Sequence, residues 1–392
     1  MATRTSTLPR AHTIYTIAVI GFIYVLHAVI PMYSNSSFLS LFADERTVGF
    51  IYMAGAAFSI LGFLLAPGAI RRMGNYRAAI GLVIIQIALF WILIASTDPR
   101  VLALAFILQS GVVSLIGLTL DIFLEVYTDG SSVGAVRGLY TATLNASWVV
   151  APLIGSLLIN GTNEFRNTYI AALAMLFPLL YLIYRNFPRF RDPNYIHLSP
   201  VQLFKHVYSN RNWVKLFFAN VILQTFYSWM VVYSPIYLNK TIGFGWEDIG
   251  IILVVMLIPF PLIQYPLGRL ADKKYGEKEI MSIGFLIMGI STMFLSLPTV
   301  ANILVWSILF FITRIGAAAA EIMMETYFFK TVSPRDSAVL GSFRITRPLS
   351  YFIAPLIMIV GSYFVSAQMM FVVIGAMSLI ALWPAMTIKD TN

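Results

Sequence analysis

Residues 121–127 read DIFLEVY and residues 321–327 read EIMMETY, so an acid, an isoleucine, a second acid and a tyrosine recur after two hundred residues. Further along, Gly138, Ser147 and the APLI of residues 151–154 are matched at identical internal spacing by Gly341, Ser350 and the APLI of residues 354–357. The first block recurs after 200 residues and the second after 203, so a three-residue loop insertion separates them. Such self-similarity is typical of an internally repeated fold. The chain is therefore predicted to consist of two similar halves.

The composition excludes a water-soluble globular protein. Of the 392 residues, 59% are hydrophobic and 11% are charged, with a mean hydropathy of +0.82, far from the usual balance of a soluble domain. The charges form short clusters between apolar runs of about 20 residues, the length of helix that crosses a bilayer. The alternation of polar and apolar residues typical of membrane β-barrels is missing. The predicted class is an all-α membrane protein.

Hydropathy predicts twelve spanning helices in two bundles of six. The first bundle covers residues 1–184, a polar cytoplasmic linker covers 185–212, and the second bundle covers 213–392. The predicted spans are 14–32, 48–68, 78–96, 101–123, 136–159 and 169–184, then 214–238, 249–267, 280–297, 303–324, 338–360 and 364–386.

The distribution of Lys and Arg predicts the orientation. With both termini in the cytoplasm, eighteen of these residues fall in cytoplasmic segments and four in outer loops, as expected when cationic loops are retained inside during insertion. We expect a monomeric, multi-pass protein of the plasma (inner) membrane, surrounded by the lipid bilayer. The net charge of +9 is assigned to these loops, so no nucleic-acid partner is expected.

No cofactor, metal site or enzymatic activity is predicted. The chain has no cysteine and four histidines, which excludes thiolate metal sites and disulfides. No His-Glu-x-x-His pattern and no nucleotide-binding loop is present. These absences argue against an intramembrane enzyme and against an ATP-driven pump.

One loop of the second half resembles a known family signature. Residues 268–278 read GRLADKKYGEK, similar to the G-x-L-A-D-[RK]-x-G-[RK]-[RK] form found between helices 8 and 9 of the major facilitator superfamily. The matching first-half loop, residues 66–74, keeps Arg71 and Arg72 but has Ile70 where the acid should be. The resemblance implies two six-helix bundles around a central cavity, and a secondary transporter that works by alternating access.

The charges at the cytoplasmic helix ends are candidates for a gate. Glu125, followed by Arg137-Gly138, resembles the acid of helix 4 and the Arg-Gly of helix 5 in sugar porters. The alternative is that these charges are interfacial and solvated, since exposed ion pairs contribute little stability. The predicted gate residues are Glu125, Arg137, Arg71, Arg72, Asp272, Lys273, Glu325 and Arg335.

Two acids lie deeper in the predicted membrane. Asp121 precedes Glu125 by four residues, and Glu321 precedes Glu325 by four, so each pair shares a helical face. A buried carboxylate reached alternately from both sides can bind and release a proton. Asp121 and Glu321 are therefore predicted proton carriers. The alternative is that both pair permanently with arginines as structural struts.

Helices 10 and 11 carry an excess of positive charge. Arg314 lies seven residues before Glu321, on the same helical face, and helix 11 adds Arg344 and Arg347. This excess could bind an anionic substrate group, or an acid of the first half such as Asp121. The other residues predicted to line the substrate cavity are Gln109, Asn145, Gln224, Trp229 and His27.

The leading functional hypothesis is proton-coupled efflux of a small organic solute by antiport. It is supported by Gly138, Ser147, Ala151-Pro152 and Gly155-Ser156, which fit the spacing of an antiporter motif in helix 5, although small residues there can also serve helix packing alone. The runner-up is proton-coupled uptake, or facilitated transport, of a sugar or organic anion. A third hypothesis is a sensor or lipid scramblase on the same fold.

Overall fold

A computed structural model describes residues 10–127, 133–159, 164–192, 208–263, 266–267, 276–331 and 337–389. Twelve membrane helices are found in this part of the chain, which confirms the predicted all-α fold. They are α1 (Arg10–Val29), α2 (Glu45–Met73), α3 (Asn75–Ala95), α4 (Pro99–Tyr127), α5 (Val133–Ile159), α6 (Arg166–Asn186), α7 (Arg211–Val232), α8 (Trp246–Leu257), α9 (Glu277–Phe294), α10 (Ile303–Thr331), α11 (Ser337–Gly361) and α12 (Met370–Ile380).

The helices differ in the length of their apolar stretches. Among the described residues, eight helical segments are long and apolar enough to cross a membrane by themselves. The others have shorter apolar stretches or, in α9, a charged first turn. Short pieces continue two spans: a π-helical segment, Tyr237–Ile242, lies beyond α7, and Leu382–Thr387 extends α12.

Local capping sets the start of α2 and of α7. Asp44 precedes α2, and its side chain accepts a hydrogen bond from the Thr47 backbone N–H at 3.0 Å, which satisfies an otherwise unpaired donor of the first turn. Hydrogen bonds from Thr47 also hold the pKa of Asp44 below its ordinary value. Asn210 caps α7 in the same way, with its side chain accepting from the N–H groups of Asn212 and Trp213.

The most extensive contacts between the two halves are made by two helix pairs. Helix α2 packs on α11, and α5 packs on α8. In the internal repeat, α2 corresponds to α8 and α5 corresponds to α11, so the two contacts are equivalent. The halves are therefore related by a pseudo-two-fold axis that runs between these pairs.

Several contacts between the halves, among the described residues, lie toward one side of the membrane. We call the side on which residues 10 and 389 lie the terminal side, and the opposite side the distal side. Near the distal side, the Tyr52 and Tyr351 rings stack at 6.3 Å between centroids, and the Arg46 guanidinium lies 4.4 Å from the centroid of the Tyr363 ring. Helices α5 and α8 approach closely where Gly250 faces Ser156. These contacts close the distal side.

Candidate functional site

A cavity of about 590 Å³ lies between the halves. Its lining extends from Tyr33 and Tyr52, beside the distal contacts, to Asp121 and Glu325 toward the terminal side. Helices of both halves contribute side chains, as expected for a substrate site at the interface of two repeats. A cavity of this volume is large enough to enclose a small organic molecule.

Arg314 of α10 lines the cavity and is buried. Its guanidinium carbon lies 5.0 Å from the ring centroid of Phe226 and 5.1 Å from that of Tyr227, both on α7. The Arg314 Nε is buried without a hydrogen-bond partner among the described residues. Ring faces attract a guanidinium, but they leave its N–H donors unsatisfied.

Arg347 of α11 is a second cation on the cavity wall, and it is solvent-exposed there. Its guanidinium carbon lies 5.2 Å from the ring centroid of Trp148, on α5 of the other half. Tyr33 interacts electrostatically with both Arg314 and Arg347. The two arginines and this tyrosine therefore share one region of the cavity.

Three acids line the same cavity. Glu321 is half-buried, and one of its carboxylate oxygens accepts a hydrogen bond from the Tyr227 hydroxyl at 3.4 Å. Glu325, one turn nearer the terminal side, is exposed, and Asp121 lies half-buried on the first-half wall. Glu321 also interacts electrostatically with Arg314 and Arg347. The predicted proton carriers are thus located on facing walls of one cavity.

The predicted amide residues also line this cavity. Gln109, Asn145 and Gln224 line the cavity, and Gln109 accepts a hydrogen bond from the Gln86 side chain at 3.3 Å. Asn220, a further lining residue, donates to the Thr346 hydroxyl at 2.8 Å. These groups offer neutral donors and acceptors to a solute.

Trp229 and His27 lie outside the cavity lining. Trp229 is buried against Tyr233, at 4.7 Å between ring centroids, and against Phe371 of α12. His27 is buried inside the first half, where its Nδ1 donates to the Tyr24 carbonyl oxygen at 2.5 Å. Both side chains pack within a single half.

The gate residues of the described region are not brought together. Arg71, Arg72 and Glu125 are exposed near the terminal side, and none of them forms an ion pair with a residue that the structure describes. Asp272, Lys273 and Arg335 lie outside the described residues, as do the side chains of Arg137 and Arg344. The predicted gate stays a prediction.

The sequence did not predict the roles of two buried polar residues, each of which is the first residue of a helix. Asn75, the first residue of α3, donates through its side chain to the Thr119 carbonyl oxygen, and its backbone N–H donates to Asp192 at 2.8 Å. Glu277, the first residue of α9, forms a 2.7 Å ion pair with Lys330 of α10. A glycine precedes each helix start, with φ of 84° at Gly74 and 55° at Gly276. That shared glycine was the signal available in the sequence.

Comparison with known families gives two overlapping matches. The chain matches the family model described as the Major Facilitator Superfamily over residues 13–260 and again over residues 216–391. Together the matches cover nearly the whole chain and both halves. A search of curated proteins finds no match.

Solved structures share the fold at low sequence identity. The chain is similar to the nucleoside transporter NupG, with a TM-score of 0.74, 13% identity and coverage of 96% of this chain and 99% of that chain. It is similar to a peptide transporter, POT, solved with sulfate, with a TM-score of 0.77, 14% identity and coverage of 96% and 94%. It is also similar to a bacterial homologue of the human lysosomal transporter Spinster, in an inward-facing and unoccupied conformation. That match has a TM-score of 0.71, 12% identity and coverage of 97% of this chain and 94% of that chain.

Proposed function

The chain belongs to the Major Facilitator Superfamily, and on this premise we propose that it is a secondary transporter of a small organic solute. In this proposal the solute crosses by alternating access and is coupled to a proton that binds at Glu321. The observation that carries the proposal is the cavity of about 590 Å³ between the halves, closed toward the distal side and lined by a carboxylate beside a tyrosine hydroxyl. Membership of this family also favours a carrier over an intramembrane enzyme.

The coupling step follows from the cost of burying charge. An ionised carboxylate in an apolar region is strongly disfavoured unless it has partners or takes up a proton. In this proposal, Glu321 exchanges protons with the solution on the terminal side while the distal contacts hold. When the halves rock and the cavity opens to the distal side, the same carboxylate faces the other solution. Asp121 is the second proton-carrier candidate, on the opposite wall.

Two directions of coupling are compatible with this scheme. Efflux by proton antiport is the prediction that rests on the small residues of α5. Proton-coupled uptake of an organic anion is the second candidate, and the two arginines that line the cavity favour it. A sensor or a scramblase on the same fold would move neither a soluble solute nor protons.

Proton movement in proteoliposomes tests the proposal. Vesicles that contain a pH-sensitive dye are challenged with cationic, neutral and anionic solutes for wild type, Glu321→Gln and Asp121→Asn. The matched control is Glu279→Gln, because Glu279 is exposed in the first turn of α9. We expect a solute-dependent proton signal in wild type and in the control, and its loss in Glu321→Gln.

The sign of the signal reports the direction of coupling, because an antiported proton and a co-transported proton change the internal pH oppositely. Solute flux without any proton signal would contradict coupling at Glu321. A signal retained in Glu321→Gln and lost in Asp121→Asn would move the coupling site to α4.

A further inference from the structure

We infer that the centre of the cavity binds the carboxylate of a small aromatic organic anion, through Arg314 and Arg347. This inference rests on the proposed function, because it names the substrate class of the same cavity. It is carried by the placement of the two guanidinium groups and by the aromatic side chains around them.

Arg314 is arranged as an unfilled anion site. The Phe226 and Tyr227 rings lie beside its guanidinium at 5.0 and 5.1 Å, and no carboxylate of the described residues lies within ion-pair distance of it. A buried charge without a partner is costly, so the fold retains it at a cost that a bound anion would offset. The planar fork of N–H donors matches a carboxylate better than it matches a neutral group.

Both arginines lie close to the middle of the membrane. Arg314 is three residues from the central residue of α10, and Arg347 is two residues from the central residue of α11. At a rise of about 1.5 Å per residue, each lies within about 5 Å of its helix midpoint. Tyr33 interacts with both, which places a hydroxyl donor in the same region.

The charges favour a single negative charge on the ligand. Around the centre, Arg314 and Arg347 carry two positive charges and Glu321 carries one negative charge when ionised. Glu325 lies one turn further toward the terminal side, and Asp121 lies on the facing first-half wall. One carboxylate would therefore neutralise the centre of the cavity, whereas an ammonium ligand would add to its positive charge.

The aromatic side chains of the cavity wall favour a ligand that carries an aromatic ring. The rings of Tyr33, Trp148, Phe260 and Tyr351 all line the cavity. Aromatic pairs add a stabilising contact beyond the area that they bury. A ligand with a carboxylate at the arginines would have its ring among these side chains.

Anion binding and protonation of Glu321 should strengthen each other. The groups that face Glu321 are Tyr227 from α7, Arg347 from α11, and Arg314 and Glu325 from α10 itself; α8 and α9, which also pack on α10, carry their described charges in their first turns. Protonation removes a negative charge near the ligand, and by linkage the bound anion favours the proton. The anion and the proton are then expected to cross together.

Ligand-dependent thermal unfolding of the purified full-length protein in detergent tests the site without requiring transport. The probes are benzoate and 3-phenylpropionate, each compared with its amine counterpart, benzylamine and 3-phenylpropylamine. We expect the acids, and not the amines, to raise the unfolding midpoint of wild type. Arg314→Gln should weaken the acids' binding by about tenfold to a hundredfold, Arg314→Lys by less, and the exposed control Arg100→Gln not at all.

A second variant tests the linkage. At a pH high enough to ionise Glu321 in wild type, Glu321→Gln should bind benzoate about tenfold more tightly than wild type, the effect of removing a unit charge roughly 10 Å away at an effective dielectric constant of about 20. If the amines stabilise wild type more than the acids do, or if Arg314→Gln binds the acids as wild type does, the inference is overturned. Binding of the acids without solute flux in vesicles would contradict the proposed transport function and support this anion site. Flux of cations without binding of the acids would support the transport function and contradict the anion site.

Discussion

At the scale of single residues, the surroundings of Arg314 are the feature that the sequence does not show. It is buried in the second half, and its guanidinium contacts aromatic rings instead of an acid. Glu321, two turns along the same helix, has the Tyr227 hydroxyl as its hydrogen-bond partner. A buried charge of this kind is costly to desolvate, and charged residues inside the membrane are typically retained for function.

Replacing Arg314 by methionine should therefore not destabilise the protein. Burying an ion costs several kcal/mol of desolvation, so an apolar side chain of similar length is expected to be neutral or stabilising at this position. We expect Arg314→Met to unfold at the same or a higher temperature than wild type in detergent, and to lose the response to benzoate. In Arg347→Met, which removes an exposed guanidinium, the unfolding temperature should change little. A marked loss of stability in Arg314→Met would mean that this arginine has a stabilising partner.

Sequence periodicity accounts for part of this residue-scale picture. The seven-residue spacing placed Arg314 and Glu321 on one helical face, and both line the cavity. Phe226 beside Arg314 could not be predicted, because contacts between helices arise from packing and not from a local pattern. A single polar or aromatic residue in an apolar helix, such as His27 or Trp229, does not indicate which face turns inward.

At the scale of elements, α9 is packed backbone against backbone on two neighbours. A Cβ at Gly284 would lie 2.7 Å from the Ala320 backbone nitrogen of α10, and one at Gly375 of α12 would lie 2.6 Å from the Gly289 carbonyl oxygen. Small residues permit such close approach in a bilayer. The small residues 316–320, which follow Arg314 in α10, permit this close packing.

Gly316→Ala should loosen the α9–α10 contact. Its new Cβ would collide with the backbone nitrogen of Met288, and overpacking of this kind costs about 1–3 kcal/mol. We expect a lower thermal unfolding midpoint in detergent. The control is Gly81→Ala in α3, where a Cβ would meet nothing within 4 Å and gains up to about 1 kcal/mol of helix propensity. Equal midpoints for the two variants would show that α9 can move away from α10 without loss.

The sequence predicted that each membrane helix exists more accurately than it predicted where each helix begins and ends. Apolar runs of spanning length identify each helix because the bilayer demands them. Hydropathy counts only the apolar core, so α2, predicted over 48–68, extends over Glu45–Met73. Its ends depend on the Asp44 cap and on Gly74, whose positive φ favours glycine. The last helix was predicted from residue 364, but α12 begins at Met370.

At the scale of the whole molecule, the repeat accounts for the arrangement of the halves. Two copies related by a pseudo-two-fold axis meet through equivalent helix pairs, α2 with α11 and α5 with α8. The repeat was legible in the sequence from residues 121–127 and 321–327. The arrangement of the two halves could not be predicted in this way, because the proposed alternating access uses a distal-closed and a distal-open arrangement of one sequence, and hydropathy is identical in both. The contacts of α2 with α11 are present in the distal-closed arrangement, and they would be broken in the distal-open arrangement.

Cross-linking α2 to α11 should stop transport. A Cβ at Gly49 would lie 3.1 Å from the Ile359 side chain across the distal contact, and the chain has no cysteine of its own, so paired cysteines can be placed without background. With Gly49→Cys and Ile359→Cys joined by a short reducible bis-methanethiosulfonate linker, the halves cannot separate on the distal side, and solute flux in proteoliposomes should cease and return on reduction.

The matched control for this cross-link joins two helices of one half. At Gly62 of α2, a Cβ would lie 3.3 Å from the Leu115 side chain of α4, so Gly62→Cys with Leu115→Cys can be joined by the same linker. Rocking moves each half as a unit, so this link should leave flux intact. If flux continues with α2 tied to α11, the distal contact does not open during the cycle, and the solute must leave by bending of individual helices instead of by separation of the halves.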